Sequence, residues 1–384
     1  MALASSSPFA SFDITDGSQI RDISPVLSDA IYLDLNLLSA GLNMDFNDPV
    51  EDTQYYWNEE ALNARTATTA ASAASNGTSI SLTSGHGARF HIGALLRNES
   101  IVNSTEIIQV TDVSTDTLTV VRTYNSTAAQ SIASGATLSI IDAYQEGSDI
   151  GSDKSVKPIV RSNFSQIIFS GDLLISRTQR NRKMATNAMD VARQLANRGV
   201  ELKFDLTRMA LYGEKSASSG SDSVYRTCGG MRHWIGAASG ITNSVATALI
   251  YSGANSLNVV NTSVVNLGKY PNKLVVGTDL AATIAGFDSS VRRLLESDTQ
   301  VGYTVNRLTL AQGNVVDVVV DGRVGTGDAF LFNSEQVSMH PFVGSGMFVI
   351  AATDFVDGVK RRLGSEWGLK FRNPEAAAYI SGKS

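Results

Sequence analysis

Residues 163–215 read NFSQIIFSGDLLISRTQRNRKMATNAMDVARQLANRGVELKFDLTRMALYGEK. From Thr178 to Tyr212, apolar or small residues recur three or four apart, at Met184, Ala188, Val191, Leu195, Leu202, Leu206 and Met209, with one step of seven after Leu195. That spacing predicts one helix with a single buried stripe. Ser176 and Gln179 fit a capping box at its start. Arg180, Arg182, Lys183, Arg193, Arg198, Lys203 and Arg208 populate the rest of its surface. About 35 residues rising 1.5 Å each would span roughly 50 Å, more than most globular domains need. Gly199 interrupts the stripe and is placed for a bend or a close packing contact.

Upstream, two strand-like stretches face each other in the sequence: VEDTQYYWNEEAL at 50–62 and VKPIVRSNFSQIIF at 156–169. They predict the two edges of a long hairpin. Between them, an Ala/Thr/Ser tract at 64–75 reads as a linker. Residues 76–143 then carry short alternating segments, at Ile80 and Leu82, Ile107 to Val110, Leu118 and Val120, and Leu138 and Ile140, with turn signals such as Asn76-Gly77 and Ser134-Gly135 between them. Strands this short and evenly spaced predict a small all-β barrel or sandwich inserted into the hairpin. Residues 1–45 hold short apolar pieces without a sustained period and read as an extended arm that has no core of its own.

Downstream, 216–240 is a Gly/Ser-rich loop region containing Trp234. Residues 253–350 predict a compact α/β domain. Helices are expected near 254–268 and 279–295, a strand at 273–277, and strands at 301–310, 314–321, 328–333 and 335–340. Residues 346–380 return to strand character, with GMFVIAATDF, GVKRRLGSEWGLKF and a terminal strand.

Charge is partitioned along the chain. Residues 1–150 hold 18 Asp/Glu against five Arg and no Lys, whereas 151–240 hold seven acids against 14 Lys/Arg, and 241–384 balance at 12 each. Two readings follow: solvated faces, or acidic and basic segments that meet within or between chains and set register. A net charge of −6 argues against a chain whose whole surface grips nucleic acid. No apolar run approaches the ~18–20 residues of a membrane helix, and the N-terminus lacks the pattern of a secretory signal. The single cysteine, Cys228, excludes an intrachain disulfide.

Chemistry is sought and not found. There is no P-loop, HExxH, GxSxG or GxGxxG after a strand. The four histidines, His86, His91, His233 and His340, lack metal-like spacing. Cys228 near His233 suggests a Cys–His pair, but nothing supplies an orienting acid or an oxyanion hole. The expectation is a protein without catalytic residues, cofactor or metal.

The collinear stretches NFSQIIFSGDLLISRTQ (163–179), ELKFDLTRMALYGEK (201–215), CGGMRHWI (228–235), NKLVVGTDLAATIAGF (272–287) and EWGLKFRNPEAAAYISG (366–382) together resemble tailed-bacteriophage major capsid proteins of the Hong Kong 97-type fold, in the subset with a small β insertion in the extended loop. The resemblance spans about residue 40 to the end. It implies an α+β fold with a map of parts. Residues 1–45 are the N-terminal arm, and 46–177 the extended loop containing the β domain at 76–143. Residues 178–240 form the peripheral domain with its spine helix at 178–212, 241–345 the axial domain, and 346–384 the strands that return to the peripheral domain.

The function implied is structural. Pentamers and hexamers of the chain tile an icosahedral shell around double-stranded phage DNA, which is contacted non-specifically. Scaffolding, portal and decoration proteins are the further partners, there is no membrane, and the shell is assembled in the host cytoplasm as part of the virion. A two-stranded ribbon is marginal in water, so the hairpin must rest on another surface. The expected intersubunit interface sets Glu51, Asp52, Trp57, Glu59 and Glu60 of one copy against Arg180, Arg182 and Lys183 of the next. The competing assignment turns those basic residues toward packaged DNA. Some members cross-link a loop lysine to a neighbouring asparagine; with no lysine before Lys154, no cross-link is expected. The rival readings are an encapsulin-like cargo shell, a fibre or adhesin subunit suggested by the Thr/Ser/Asn-rich 76–143, and an enzyme with an unrecognised site.

Overall fold

The computed structural model describes residues 42–60, 62, 64–141, 158–181, 191–218, 220–221, 224–237, 241–244, 250, 256–287, 292–293, 307–352 and 358–381. Two compact units divide the chain. One comprises residues 58–160, the other the segments before and after it.

In the unit of residues 58–160, alternation of apolar and polar residues builds a six-stranded antiparallel sheet. Its spatial order is Thr66–Thr68, Thr137–Ile140, Leu95–Asn98, Ile107–Ser114, Thr117–Val121 and Ser79–Ser81. The two outer strands meet: Ala70 N donates to Ser81 O at 2.9 Å and Thr83 N to Thr68 O at 2.9 Å. The sheet is therefore a closed barrel, and closure removes the exposed edges that would otherwise recruit other strands. Inside it Ile80, Leu96, Ile108, Leu118 and Leu138 are completely buried, because side chains one apart on a strand point to opposite faces. The tract at 64–75, expected as a linker, instead supplies a barrel strand. Only Ala67 of Thr66–Thr68 faces the interior, so the strand has no apolar alternation to betray it.

A buried ion pair pins the barrel's loops. Arg122 donates to both oxygens of Glu106 at 2.7 Å and to Ala74 O at 2.9 Å, and Gln130 N donates to Glu106 Oε2 at 2.8 Å. Burial alone would raise the Glu106 carboxyl, but the guanidinium and the Gln130 N–H outweigh it and hold it below its ordinary value.

The other unit contains two sheets. In the first, the 14-residue strand Gly358–Phe371 is central. Gln166–Phe169 and Leu173–Ser176 pair with it on one side, Val337–Pro341 and Phe348–Ala352 on the other, and Asn43–Met44 adds a parallel edge on Val337–Pro341. The helix Val191–Tyr212 packs on this sheet through Leu202, Leu206, Met209, Ala210 and Leu211. It runs without a break through Gly199, which faces Leu363. Of the expected stripe, Val191 and Leu195 are half-buried, and Met184 and Ala188 lie outside the described residues. The helix start is described as Arg177–Asn181, where Ser176 Oγ accepts from Gln179 N at 3.2 Å.

The second sheet runs Ile241–Ser244, Ala378–Ser381, Ala329–Phe332, Lys273–Val276, Val315–Val320, Arg307–Thr309 and Arg292–Arg293. Helices Leu257–Asn266 and Thr278–Ala285 cover it through Leu257, Val260, Val264, Leu280 and Ile284. Ser256 caps the first, accepting from Val259 N.

Three expectations are corrected. The helix expected over 279–295 ends at Ala285, where Gly286 ends helical order and Phe287 turns into the core; Arg292–Arg293 pairs as a strand with Arg307–Thr309. The terminal strand, expected to return to the sheet of the long helix, joins the second sheet between Ile241–Ser244 and Ala329–Phe332. Asn373 at a φ of 45° followed by Pro374 redirects the chain after Phe371, since proline cannot donate to the ladder it would be leaving. Conversely, Val337–Pro341, assigned from sequence to the α/β region, pairs with residues 367–371 of the first sheet.

The barrel generates a specific prediction. Asp116 accepts from Gly85 N and Gly87 N at 3.0 and 2.9 Å, and a Cβ at Gly87 would fall 1.7 Å from Thr115 O. Gly87→Ala must displace that hairpin turn, and we expect a loss of about 1–3 kcal/mol, read as a lower unfolding midpoint and faster proteolysis within residues 66–141.

Candidate assembly surfaces

The hairpin strands are Gln54–Glu59 and Ile159–Phe164, which among the described residues pair only with each other. The stretch 156–169 is thus two strands: beyond Ser165 the chain changes sheets and Gln166–Phe169 joins Gly358–Phe371. Ser165 makes the change possible. Its Oγ donates to Glu366 at 2.6 Å, and Arg226 bonds both Ser165 O and Glu366 at 2.6 Å.

Alternation along Gln54–Glu59 sends Tyr55 and Trp57 inward and leaves Tyr56 60% exposed. Tyr55 OH donates to Leu369 O at 2.8 Å, and Asn163 Nδ2 donates to the same oxygen at 2.8 Å and to Gly229 O at 3.0 Å. Asn163 Oδ1 accepts from Gly229 N at 2.8 Å. Cys228 Sγ lies against Leu369 N at 3.3 Å. Lys215 Nζ donates to Ser162 O and Oγ and stands over the rings of Trp234 and Phe164. Burial pushes the Tyr55 phenol well up and the Cys228 thiol to about 11, and lowers the Lys215 ammonium.

Of the residues expected at an intersubunit interface, Glu51, Asp52 and Glu60 are exposed and Glu59 is half-buried. Asp52 Oδ1 accepts from Thr53 N at 2.6 Å. Trp57 is a correction: its ring stacks with Tyr55 and meets Trp234 edge-on at 5.2 Å within its own chain's core. Alternation buries it, and only 8% of its surface stays exposed. Arg180 lies on the helix Arg177–Asn181, while Arg182 and Lys183 lie outside the described residues.

The more conspicuous surface is the outer face of the first sheet. Ile167, Phe169, Leu174 and Ile350 are each 43–54% exposed there. Phe169 and Phe348 meet edge-on, 6.0 Å apart, over Gly364, where a Cβ would come within 2.7 Å of both rings. Arg362 stands over Phe169 and pairs with both oxygens of Asp172, and Lys360 reaches the same carboxylate at 3.2 Å. The hydrogen bonds from Arg362 and Lys360 hold the Asp172 carboxyl down at about 2. Sequence showed the strands but not which of their faces stays uncovered.

Among the described residues, two groups bear on the catalytic and metal readings. His233 Nδ1 pairs with Glu214 at 2.7 Å, and a thiol with a raised pKa is the reverse of an activated nucleophile. Asp45, Asp48 and His340 form a group within reach of one cation. Their ligand atoms are already engaged: His340 bonds Asp48 O and Ser338 Oγ at 2.7 Å, Lys370 pairs with Asp48, and Asp45 accepts from Asn47 N.

Residues 10–384 match the family model for the SU10 major capsid protein. The chain belongs to that family. As a tailed-phage major capsid protein it is a structural component of a virion, which decides against the cargo-shell and fibre readings. The fold is the Hong Kong 97 type expected from sequence. A solved structure described as the capsid of a native GTA particle computed with C5 symmetry is similar to it at a TM-score of 0.52 and 10% identity, covering 96% of this chain and 97% of that one. A structure from Microbacterium phage Oxtober96 is similar at a TM-score of 0.51 and 10% identity, over 97% and 98% of the two chains. No curated protein matches the chain.

The buried Cys228 gives this capsid protein a reporter of its core. We expect it to be inert to a disulfide reagent at pH 8 in the native protein and to titrate fully after denaturation. Rapid reaction in native protein would contradict the packing around Leu369.

Proposed function

We propose that copies of this chain assemble as pentamers and hexamers into a closed icosahedral shell around double-stranded DNA, with the hairpin as the connecting element. The observation that carries this reading is the half-exposed apolar face of the first sheet, together with a hairpin of only two strands whose base is buried but whose Tyr56, Ile159 and Val160 stay exposed. A lone ribbon is marginal in water, and a face with several half-exposed large side chains is the mark of an interaction surface. A sister copy supplies what each lacks. In this scheme residues 1–45 are an arm, 46–177 an extended loop bearing the barrel, and the helix that begins near 178 a spine. The exposed acids Glu51, Asp52 and Glu60 lie on the basic segment around Arg180, Arg182 and Lys183 of the neighbour. Scaffolding and portal proteins act as partners during assembly in the host cytoplasm, and a decoration protein is a further candidate for the outside. The stretch before Lys154 offers no lysine for a covalent link, so the shell is held by non-covalent contacts.

The test is assembly. Wild-type particles should have a mass in the megadalton range, against 40.8 kDa for the chain. Glu at 180, 182 and 183 together should sharply reduce closed shells while the subunit keeps its secondary structure. Asp in place of Phe169 or Leu174 should do the same through the apolar face. Normal shells with only genome packaging impaired would assign the basic segment to DNA instead.

A further inference from the structure

The strand Phe348–Ala352 runs beside Gly358–Phe371, with Phe348 opposite Gly364, Ile350 opposite Arg362 and Ala352 opposite Lys360. Among the described residues it pairs with no other strand, so the N–H and C=O groups of its second edge are open to a partner. Both of its faces are open as well. Ile350 is 43% exposed on the outer face of the sheet. Val349 lies opposite Leu363, on the face that bears the helix Val191–Tyr212, and is 48% exposed. Residues 347–352 read MFVIAA and hold no charge. The pairing has no bulge and the strand has neither Lys nor Pro, so the usual devices against strand recruitment are missing.

The chain's own N-terminal segment is badly placed to fill that edge. It enters the sheet at Asn43–Met44, beside Ser338 and Met339, and reaches Val50 beside Phe342. Ser338 lies opposite Lys370 and Ile350 opposite Arg362, about 27 Å apart along the central strand at ~3.4 Å per residue. Residues before Leu42 would have to double back past an edge that 43–50 already hold. Residues 31–37 of a sister copy fit no better. They alternate apolar residues with Tyr32, Asp34 and Asn36, and as a strand would set that polar side against one of two apolar faces.

What fits is the strand itself. Run antiparallel to its counterpart in a second copy, with Ile350 facing Ile350, it sets Phe348 against Ala352 and Val349 against Ala351. Each of these large side chains meets an alanine, and both apolar faces continue across the join. Arg362 and Lys360 are paired with Asp172 of their own chain and bring no unpaired charge to the seam.

We propose that Phe348–Ala352 forms a two-fold contact between copies of this chain, pairing antiparallel with itself about Ile350. The contact rests on the assembly of sister copies into a shell, and an icosahedral shell supplies the two-fold axes that an isologous contact needs. Five residue pairs bury far less than the roughly 1,200 Å² of a stable interface, so the contact acts with others in the particle and is weak between free subunits.

The experiment introduces Ile350→Cys into the full-length chain. Cys228 is buried, which leaves the new thiol as the accessible one. Directly opposed residues in an antiparallel pair have Cα atoms about 4.5–5.5 Å apart, within disulfide reach. Mild oxidation of particles, and of concentrated unassembled protein, should trap a reducible dimer as the main band on a denaturing gel. Val349→Cys, whose counterpart stands diagonally across at about 7–8 Å, is out of reach and should stay monomeric. Ile350→Lys, at an exposed position, sets like charges opposite each other and should lower particle yield severalfold with the unfolding midpoint of the subunit unchanged. Particle mass before oxidation reports the assembly, and the gel reports the strand contact. Particles of normal mass with no Ile350→Cys dimer overturn the proposal and leave the shell standing. Equal dimer from Val349→Cys, or undiminished particles from Ile350→Lys, also overturns it. A dimer in concentrated protein that builds no particles keeps the contact and overturns the shell.

Discussion

The carbonyl of Leu369 accepts from the Tyr55 hydroxyl and the Asn163 amide, and its N–H meets the Cys228 sulfur. Three segments distant in sequence are fixed on one residue of the central strand: both strands of the hairpin and the turn before the helix Met231–Ala237. All of these groups are buried, so each would cost about 1–3 kcal/mol if left unpaired. The register of the hairpin against the body is set by that penalty. Trp57, stacked beside Tyr55 and against Trp234, adds apolar burial to the same anchor.

The two units manage strand edges in opposite ways. The barrel closes on itself through Ala70, Ser81, Thr68 and Thr83 and needs no partner to satisfy its backbone. The body keeps open sheets, a half-exposed apolar face and a ribbon of only two strands. For a protein that must fold as a subunit and then associate, the contrast is physically sensible. Incomplete surfaces belong where copies meet, whereas a self-sufficient module can be carried without interfering. Asp172, with Arg362 and Lys360 around it, puts charge at the rim of the apolar face.

Much of the fold was legible because its signals are local. The stripe through Leu202, Leu206 and Met209, the alternation at Ile80, Leu118 and Leu138, and the cap at Ser176 depend on spacing alone, and the structure carries each of them. The failures are non-local. Thr66–Thr68 is a strand because two others flank it, not because of its own composition. The terminal strand chose the second sheet because Asn373 and Pro374 redirect the chain after Phe371, and apolar content is the same for either destination. Among the interface candidates, Trp57 was misplaced because an aromatic residue on a strand reads alike whether it faces a partner or its own core.

Periodicity, charge partition and the order of segments by themselves determined that this chain builds a long basic helix, a β module within a hairpin and a mixed α/β body, and they placed it among capsid proteins. Those properties are encoded over a few turns of chain, where side-chain direction follows residue number. Tertiary structure alone decided which sheet each strand enters, which face of the first sheet stays bare, and that Phe348–Ala352 lies at its edge. Burial and hydrogen-bond satisfaction are set by segments hundreds of residues apart, and no window of sequence contains both partners.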